Sequence, residues 1–172
     1  MEGGSARGDI TAFVRDVVLP GSASQPPRIA PEACAFRLRV GHSRIHRWGI
    51  YAGEDIPARR RVIEYTGQRI TMREGWRRRL RPQLYLFRCS ACRLIDGGIG
   101  GSGAEFINHS CEPNLVARFD HRRVHFLSLR PIAAGEELLL DYHVRGDIDP
   151  IPCRCGAPTC RGFLNDPVEG GA

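Results

Sequence analysis

The 172-residue chain contains no lysine; all 25 of its basic residues are arginine. That absence excludes a P-loop, whose phosphate clamp requires a lysine, and any mechanism built on a Schiff-base lysine. Long hydrophobic runs are missing too: no stretch has the 18 or more apolar residues that a membrane-spanning helix needs. Met1–Ile10 is polar and glycine-rich, without the apolar centre of a secretory signal. Acidic residues are the minority, 19 against 25, which sets the net charge at +6 and the pI near 9.2. Such a balance permits contact with nucleic acid or an acidic surface without requiring it.

The length suits one domain, and a chain of this size buries roughly 70% of its unfolded surface, so it needs no disulfides. Its 7 cysteines are an odd number. With no export signal in view, a reducing compartment is expected. There, clustered cysteines hold metal or do chemistry more often than they pair.

Residues 1–33 read as a weakly ordered lead-in. It contains a short apolar run, Thr11–Leu19, suited to docking on the body, and a turn-rich linker, Gly21–Pro27. From Phe36 onwards, short apolar runs recur between Gly, Pro or Asn. They predict strands near 36–40, 48–52, 61–65, 84–89, 115–119, 123–129 and 137–141. Asp120-His121 looks like the turn of a hairpin. The helix candidate is Thr71–Arg81, stopped by Pro82. The expected fold class is mainly β. A weak internal echo joins Ile56-Pro57-Ala58 and the Val62–Tyr65 strand to Ile132-Ala133-Ala134-Gly135 and the Leu138–Tyr142 strand.

Gly98-Ile99-Gly100-Gly101-Ser102-Gly103 matches G-x-G-x-x-G literally. A dinucleotide fingerprint must follow a strand and open a long helix. Here Asn108–Pro113 cuts short any helix that begins at Ala104, so the segment reads as a flexible surface connection. Cys153-Arg154-Cys155-Gly156-Ala157-Pro158-Thr159-Cys160 is more specific, with three thiols in eight residues. Zn²⁺ takes four tetrahedral ligands and accepts thiolate well. A distant fourth ligand is therefore required, from Cys34, Cys89, Cys92, Cys111 or a histidine. Cys89-Ser90-Ala91-Cys92 lacks the two further ligands of a metal site and the βαβ context of a redox motif. It reads as two thiols near a strand end.

Several segments then fall in order: Arg47-Trp48-Gly49-Ile50, Glu64-Tyr65-Thr66-Gly67, Tyr85-Leu86-Phe87, Phe106-Ile107-Asn108-His109-Ser110-Cys111-Glu112-Pro113-Asn114, Gly135–Tyr142 and Cys160-Arg161-Gly162-Phe163-Leu164-Asn165. From about residue 36 to 165 this series resembles the SET-domain protein lysine methyltransferases with a zinc-binding post-SET segment. The resemblance implies a fold of small curved β-sheets with a knot-like crossing, short helices and a zinc-bound tail. It divides the chain into a lead-in (1–33), a SET domain (34–146, with a short insert about 71–83), a post-SET segment (147–166) and a tail (167–172). It implies one structural Zn²⁺ on Cys111, Cys153, Cys155 and Cys160. It implies S-adenosylmethionine as cofactor, contacted by Trp48, Gly49, Asn108 and His109 and covered by Phe163 and Leu164.

Tyr142 and Tyr85 become the expected catalytic residues. A phenol of pKa about 10 is a poor base at neutral pH, so Tyr142 is assigned orientation and electrostatics. Two departures stand out. Arg47-Trp48-Gly49 replaces the usual Gly-x-Gly, and Leu140 replaces the aromatic that limits the number of methyl groups added. A roomier substrate channel, and products beyond monomethyllysine, are expected. The implied partner is a histone or other basic protein, and no membrane. Alternatives are a non-catalytic binding module on the same scaffold and a zinc-stabilised nucleic-acid-binding protein. The arginine runs Arg59-Arg60-Arg61 and Trp76–Arg81 read as solvated faces, or as contacts to a DNA backbone. The expected location is the nucleus of a eukaryote, or the cytoplasm and nucleoid of a prokaryote.

The missing lysine yields a direct test. Incubation of tag-free protein with S-adenosylmethionine should leave no methyllysine in residues 1–172, and any self-labelling must lie elsewhere. Peptide mapping that found methylated arginine would contradict the lysine specificity implied here.

Overall fold

The structure, a computed structural model, describes residues 27–78, 85–120, 122–144 and 148–167. Three small sheets build it. β1 (Leu38–His42) and β2 (Trp48–Ala52) form an antiparallel hairpin with Leu38 opposite Ala52 and His42 opposite Trp48. A second sheet orders β3 (Arg61–Glu64), β9 (Arg123–Ser128), β8 (Leu115–Asp120), β10 (Leu139–Leu140) and β7 (Asn108–His109) side by side. The third places β6 (Arg93–Asp96) between β4 (Gln68–Thr71) and β5 (Leu86–Arg88).

The core lies among these sheets. Ile50, Val62, Ile63, Ile95, Leu115, Val124, Phe126, Ile132 and Leu138 are almost wholly buried there. β9 buries Val124, His125 and Phe126 consecutively, as expected of a strand covered on both faces. The two halves of the sequence echo pair with each other: the N–H groups and carbonyls of Ile56 and Ile132 exchange bonds of 2.8 and 2.9 Å.

The third sheet carries the one α-helix of the described residues, α1 (Met72–Arg78). Thr71 Oγ1 accepts the Glu74 N–H at its first turn. Arg78 closes its last turn, reaching Glu74 and the buried Asp96 at 2.7 Å each. Residues 79–84, the rest of the predicted helix, lie outside the described residues.

β10 determines the topology. It runs parallel to β7, with Leu139 beside Asn108 and Leu140 beside His109, and on its other side Leu140 lies parallel to Leu115. A late segment thus lies between two pieces of one earlier segment. The loop joining those pieces binds it: Ser110 N–H donates to Leu140 O and Asn114 N–H to Leu139 O. Asn114 is 1% exposed and spends its whole side-chain amide here. Oδ1 accepts Leu139 N–H at 2.8 Å, while Nδ2 donates to Glu137 O and Glu136 Oε1.

Three expectations need adjusting. Residues 27–33, assigned by sequence to the lead-in, are packed: Ile29 and Ala33 lie against the core, and Ala30 N–H donates to Ser102 O at 2.9 Å. Thr11–Leu19 lies outside the described residues. β4, β6 and β7 were not anticipated. β4 buries only Ile70, β6 buries three residues in a row, and β7 is two residues long, so none shows a period-2 pattern.

The third adjustment concerns the glycine-rich segment, which is anchored rather than flexible. Thr66 Oγ1 holds Gly100 O, and the fully buried Ser102 holds Glu64 O. Glu105 lies beneath the segment, accepting Gly103 N–H on Oε2. A Cβ at Gly101 would stand 2.3 Å from Glu105 Oε1 and 2.1 Å from Gly97 O, so only glycine fits.

Burial raises the Glu105 carboxyl to about 7. A folded-state pKa above the unfolded value gives stability that is complete below pH ~4.3 and lost as pH rises through 7. Glu105→Gln, which removes the charge and preserves the shape, should unfold at higher urea than the parent at pH 8. The advantage should vanish by pH 5.

Candidate active site

The crossing delivers Tyr142 two residues beyond the end of β10. Its N–H donates to His109 Nδ1 at 3.2 Å, its hydroxyl donates to Ile107 O at 2.8 Å, and its ring meets His109 edge-on at 5.3 Å. The residue is 42% exposed, with its hydroxyl engaged on Ile107 O. Burial, then the neighbouring Tyr85 and Glu137, raises its pKa well above the ordinary phenol value. Tyr142 is therefore a protonated hydrogen-bond donor at neutral pH. Tyr85, pushed up by burial and then by Glu105, packs on Phe106 at 5.1 Å. Leu140, two residues before Tyr142, is buried in the core.

His109 is 3% exposed, and burial lowers its imidazole to about 4, so it is neutral. Nδ1 accepts the Tyr142 N–H, which leaves the ring proton on Nε2, 3.5 Å from Cys111 Sγ. One imidazole therefore joins the tyrosine to the thiols.

Cys111, Cys153, Cys155 and Cys160 lie together, their sulfurs all within 4.8 Å of one another. A zinc with bonds of about 2.3 Å spaces its four sulfurs about 3.8 Å apart. The Cys111–Cys153 and Cys111–Cys160 separations are 3.8 and 3.9 Å. Backbone N–H groups point at the sulfurs: Cys111 N–H at Cys155, Cys155 N–H at Cys153 and Gly162 N–H at Cys160. Burial opposes ionisation of Cys155, but the N–H groups of Cys111 and Ala157 and the adjacent thiols of Cys153 and Cys160 outweigh it and hold it near 6. The donor set fits Zn²⁺. Cys34, Cys89 and Cys92 lie apart from it, the last two flanking the β5–β6 turn.

The residues expected to face the cofactor are more heavily committed than the sequence suggested. Asn108 Nδ2 donates to Trp48 O and Glu137 Oε1 at 2.9 Å each and approaches His46 O at 3.3 Å. The Trp48 ring stacks on His42 at 4.3 Å. At Gly49 the close neighbour is Glu137, whose Oε1 would lie 2.3 Å from a Cβ. Phe163 is exposed, while Leu164 is buried, its N–H on Ile151 O.

Two residues escaped sequence reasoning. Glu137 accepts from both Asn108 and Tyr51, and its only signal was its place in Gly135-Glu136-Glu137-Leu138. His46 immediately precedes Arg47-Trp48-Gly49, and its Nε2 is buried without a hydrogen-bond partner. A buried orphan nitrogen beside this backbone is what a polar ligand would satisfy, so these residues fit a polar cofactor such as S-adenosylmethionine.

The arginine runs are partly occupied internally. Arg60 lies 5.7 Å over Phe36, Arg61 pairs with Asp120, and Arg78 pairs with Asp96 and Glu74. No helix among the described residues is long and apolar enough to cross a membrane.

A threaded β crossing, a tyrosine at its exit and a four-thiol cluster beside it define the SET class of domain. Residues 47–143 match the SET domain family, and the chain belongs to it. The chain is 44% identical over 143 residues to the H3 lysine-4 specific histone-lysine N-methyltransferase of Saccharomyces cerevisiae, covering 74% of this chain and 13% of that protein. It is 39% identical over 166 residues to the corresponding protein of Schizosaccharomyces pombe, covering 91% and 18%. It is 40% identical over 139 residues to human histone-lysine N-methyltransferase SETD1A, covering 75% and 8%. The chain thus spans less than a fifth of the length of these relatives. A crystal structure of KRYPTONITE with mCHH DNA, an H3(1-15) peptide and SAH matches with a TM-score of 0.65 and 30% identity, over 76% of this chain and 30% of that one.

Elemental analysis of protein purified without chelator should give one zinc per chain. Cys111→Ser should lose the metal, whereas Cys89→Ser and Cys92→Ser should keep it.

Proposed function

We propose that the chain is an S-adenosylmethionine-dependent protein lysine N-methyltransferase. Its substrate is a lysine of a histone or histone-like basic protein, and its products extend beyond monomethyllysine. The observation that carries this reading is the pinned Tyr142 hydroxyl at the exit of the crossing, on a chain whose relatives are histone-lysine N-methyltransferases. S-adenosylmethionine would supply a methyl group on a sulfonium. Its contacts are assigned to the backbone at Trp48, Gly49, Asn108 and His109 and to His46, with Phe163 and Leu164 as cover.

The residues of this chain prepare the other reactant. A lysine side chain must lose a proton before it can attack, and its ordinary pKa is ~10.4. Enclosure beside Tyr85, Phe106 and Tyr142 disfavours the ammonium and lowers that value. Tyr142, with its proton committed to Ile107 O, keeps lone pairs to orient the amine, and it abstracts nothing. Alignment in a fixed channel is the larger contribution.

Leu140 underlies the product state. Without an aromatic ring or hydroxyl at this position, a methylated amine has room to rotate and present its lone pair. Chromatin is the proposed setting. Contact of arginines with a DNA backbone is a secondary reading, supported only by the net charge of +6.

The test is a radiolabelled methyl-transfer assay over a panel of basic chromosomal proteins, read by mass spectrometry. Tyr142→Phe should bind cofactor as the parent does and lose roughly 10²-fold or more in rate. Leu140→Tyr should shift products towards monomethyllysine without abolishing transfer. Cofactor binding with no transfer to any panel member would favour the non-catalytic binding module. Steep salt-dependent DNA binding without cofactor affinity would favour the nucleic-acid protein.

A further inference from the structure

Arg161 follows the thiol ligand Cys160 by one residue and points its guanidinium back into the protein. Nη1 donates to Asp141 Oδ2 at 2.6 Å and Nη2 to Asp141 Oδ1 at 2.8 Å, a two-pronged fork. Nε donates to Asn165 O at 3.0 Å and Nη2 also to Leu164 O at 2.9 Å. The pair is sheltered, with Arg161 23% and Asp141 14% exposed. Asp141 directly precedes Tyr142. Its Oδ1 also accepts His143 N–H at 3.1 Å and lies 3.6 Å from His109 Nδ1.

The four thiols attach the tail to the loop after β7, through Cys111. They do not touch the strand end that carries Tyr142. The tail meets that strand end through the Val144–Asn165 bridge, the Asp166 N–H on Val144 O, an exposed His143–Asp166 contact at 3.3 Å and the Arg161 fork. Of these, the fork is the sheltered, two-pronged ionic contact, and it sits on the residue directly before Tyr142.

We infer that Arg161 is a positioning residue: its fork on Asp141 locks the Phe163–Asn165 segment to the backbone of Tyr142, so that one guanidinium sets both the cofactor cover and the reacting phenol. The inference rests on the methyltransferase reading of this site. Lysine cannot substitute. It offers a point charge, whereas a carboxylate met on two oxygens and two carbonyls met in the same plane require a planar, multi-donor head. Charge-assisted, sheltered bonds of this kind hold a geometry that a surface ion pair would not. Loss of the fork leaves the cluster intact and frees the segment beyond it. The effect falls on cofactor binding, where the cover acts, before it falls on protein substrate binding.

The experiment uses the zinc-loaded full chain with Arg161→Lys and Arg161→Ala. Zinc per chain, the S-adenosylmethionine dissociation constant by calorimetry, and kcat and KM for each substrate are measured. Arg161→Lys should keep one zinc and bind cofactor about tenfold more weakly. KM for the protein substrate should stay within about twofold. Millimolar ethylguanidinium should restore cofactor affinity to Arg161→Ala, which a purely structural lesion would not allow. Parental cofactor affinity in Arg161→Ala would overturn the inference and leave the methyltransferase reading standing. Loss of zinc from Arg161→Lys would also overturn it, because Arg161 would then belong to the metal site. A parent chain that binds no S-adenosylmethionine would remove the methyltransferase reading and this assignment with it.

Discussion

Leu139 and Leu140 form a strand of two residues, and the whole candidate site hangs from it. Such a strand has almost no stability of its own; it exists because hydrogen bonds meet it from both flanks. Asn114 contributes most to this. It is fully buried, so each of its three amide bonds replaces a bond to water that it gave up, and leaving any one unmade would cost roughly 1–3 kcal/mol. The crossing is thus fixed by polar satisfaction as much as by the apolar side chains around it. A one-residue slip would break every bond to Asn114 and turn Leu140 out of the core.

Proton positions follow from that geometry. Because Tyr142 N–H occupies His109 Nδ1, the imidazole has one tautomer, and its free N–H faces sulfur. Because the Tyr142 hydroxyl is engaged by a main-chain carbonyl, its proton is held and its lone pairs are directed. Glu137 completes the set: it holds Asn108 and Tyr51 and fills the space that Gly49 leaves. These groups form a fixed field of dipoles around the phenol, arranged before any substrate arrives.

How much of this was legible depended on whether information was local. β2 was readable to the residue, because Trp48–Ala52 is an apolar run bounded by turns. β8 and β9 were readable because they form a hairpin. The Cys153–Cys160 cluster announced a metal by spacing, but the fourth ligand came only from a family resemblance, since nothing in local sequence links Cys111 to residues 42 or more positions away. β7 was hidden for the same reason: a two-residue strand carries no period. β10 fell within the strand expected near 137–141, but its pairing with β7 and β8 is purely tertiary and could not be read. The internal partners of Gly49 and Asn108 were not legible: a Cβ at Gly49 would meet Glu137, and the Asn108 amide is spent on Trp48 and Glu137. Both partnerships join residues far apart in the sequence.

The thiol cluster has a further consequence in the thermodynamics of the chain. Joining Cys111 to Cys153 closes a loop of 42 residues. The chain-entropy treatment of a cross-link of that span gives roughly 4 kcal/mol of restriction on the unfolded ensemble. That quantity is comparable with the whole stability of a marginal domain. Unlike a disulfide, a zinc held by these thiols would be a reversible ligand, so its contribution would follow mass action and grow with the logarithm of the free metal concentration. The fraction of molecules with an assembled crossing would then be a property of the surroundings as well as of the sequence. A compartment that buffers its metal tightly would also regulate how much of this protein is folded at any moment.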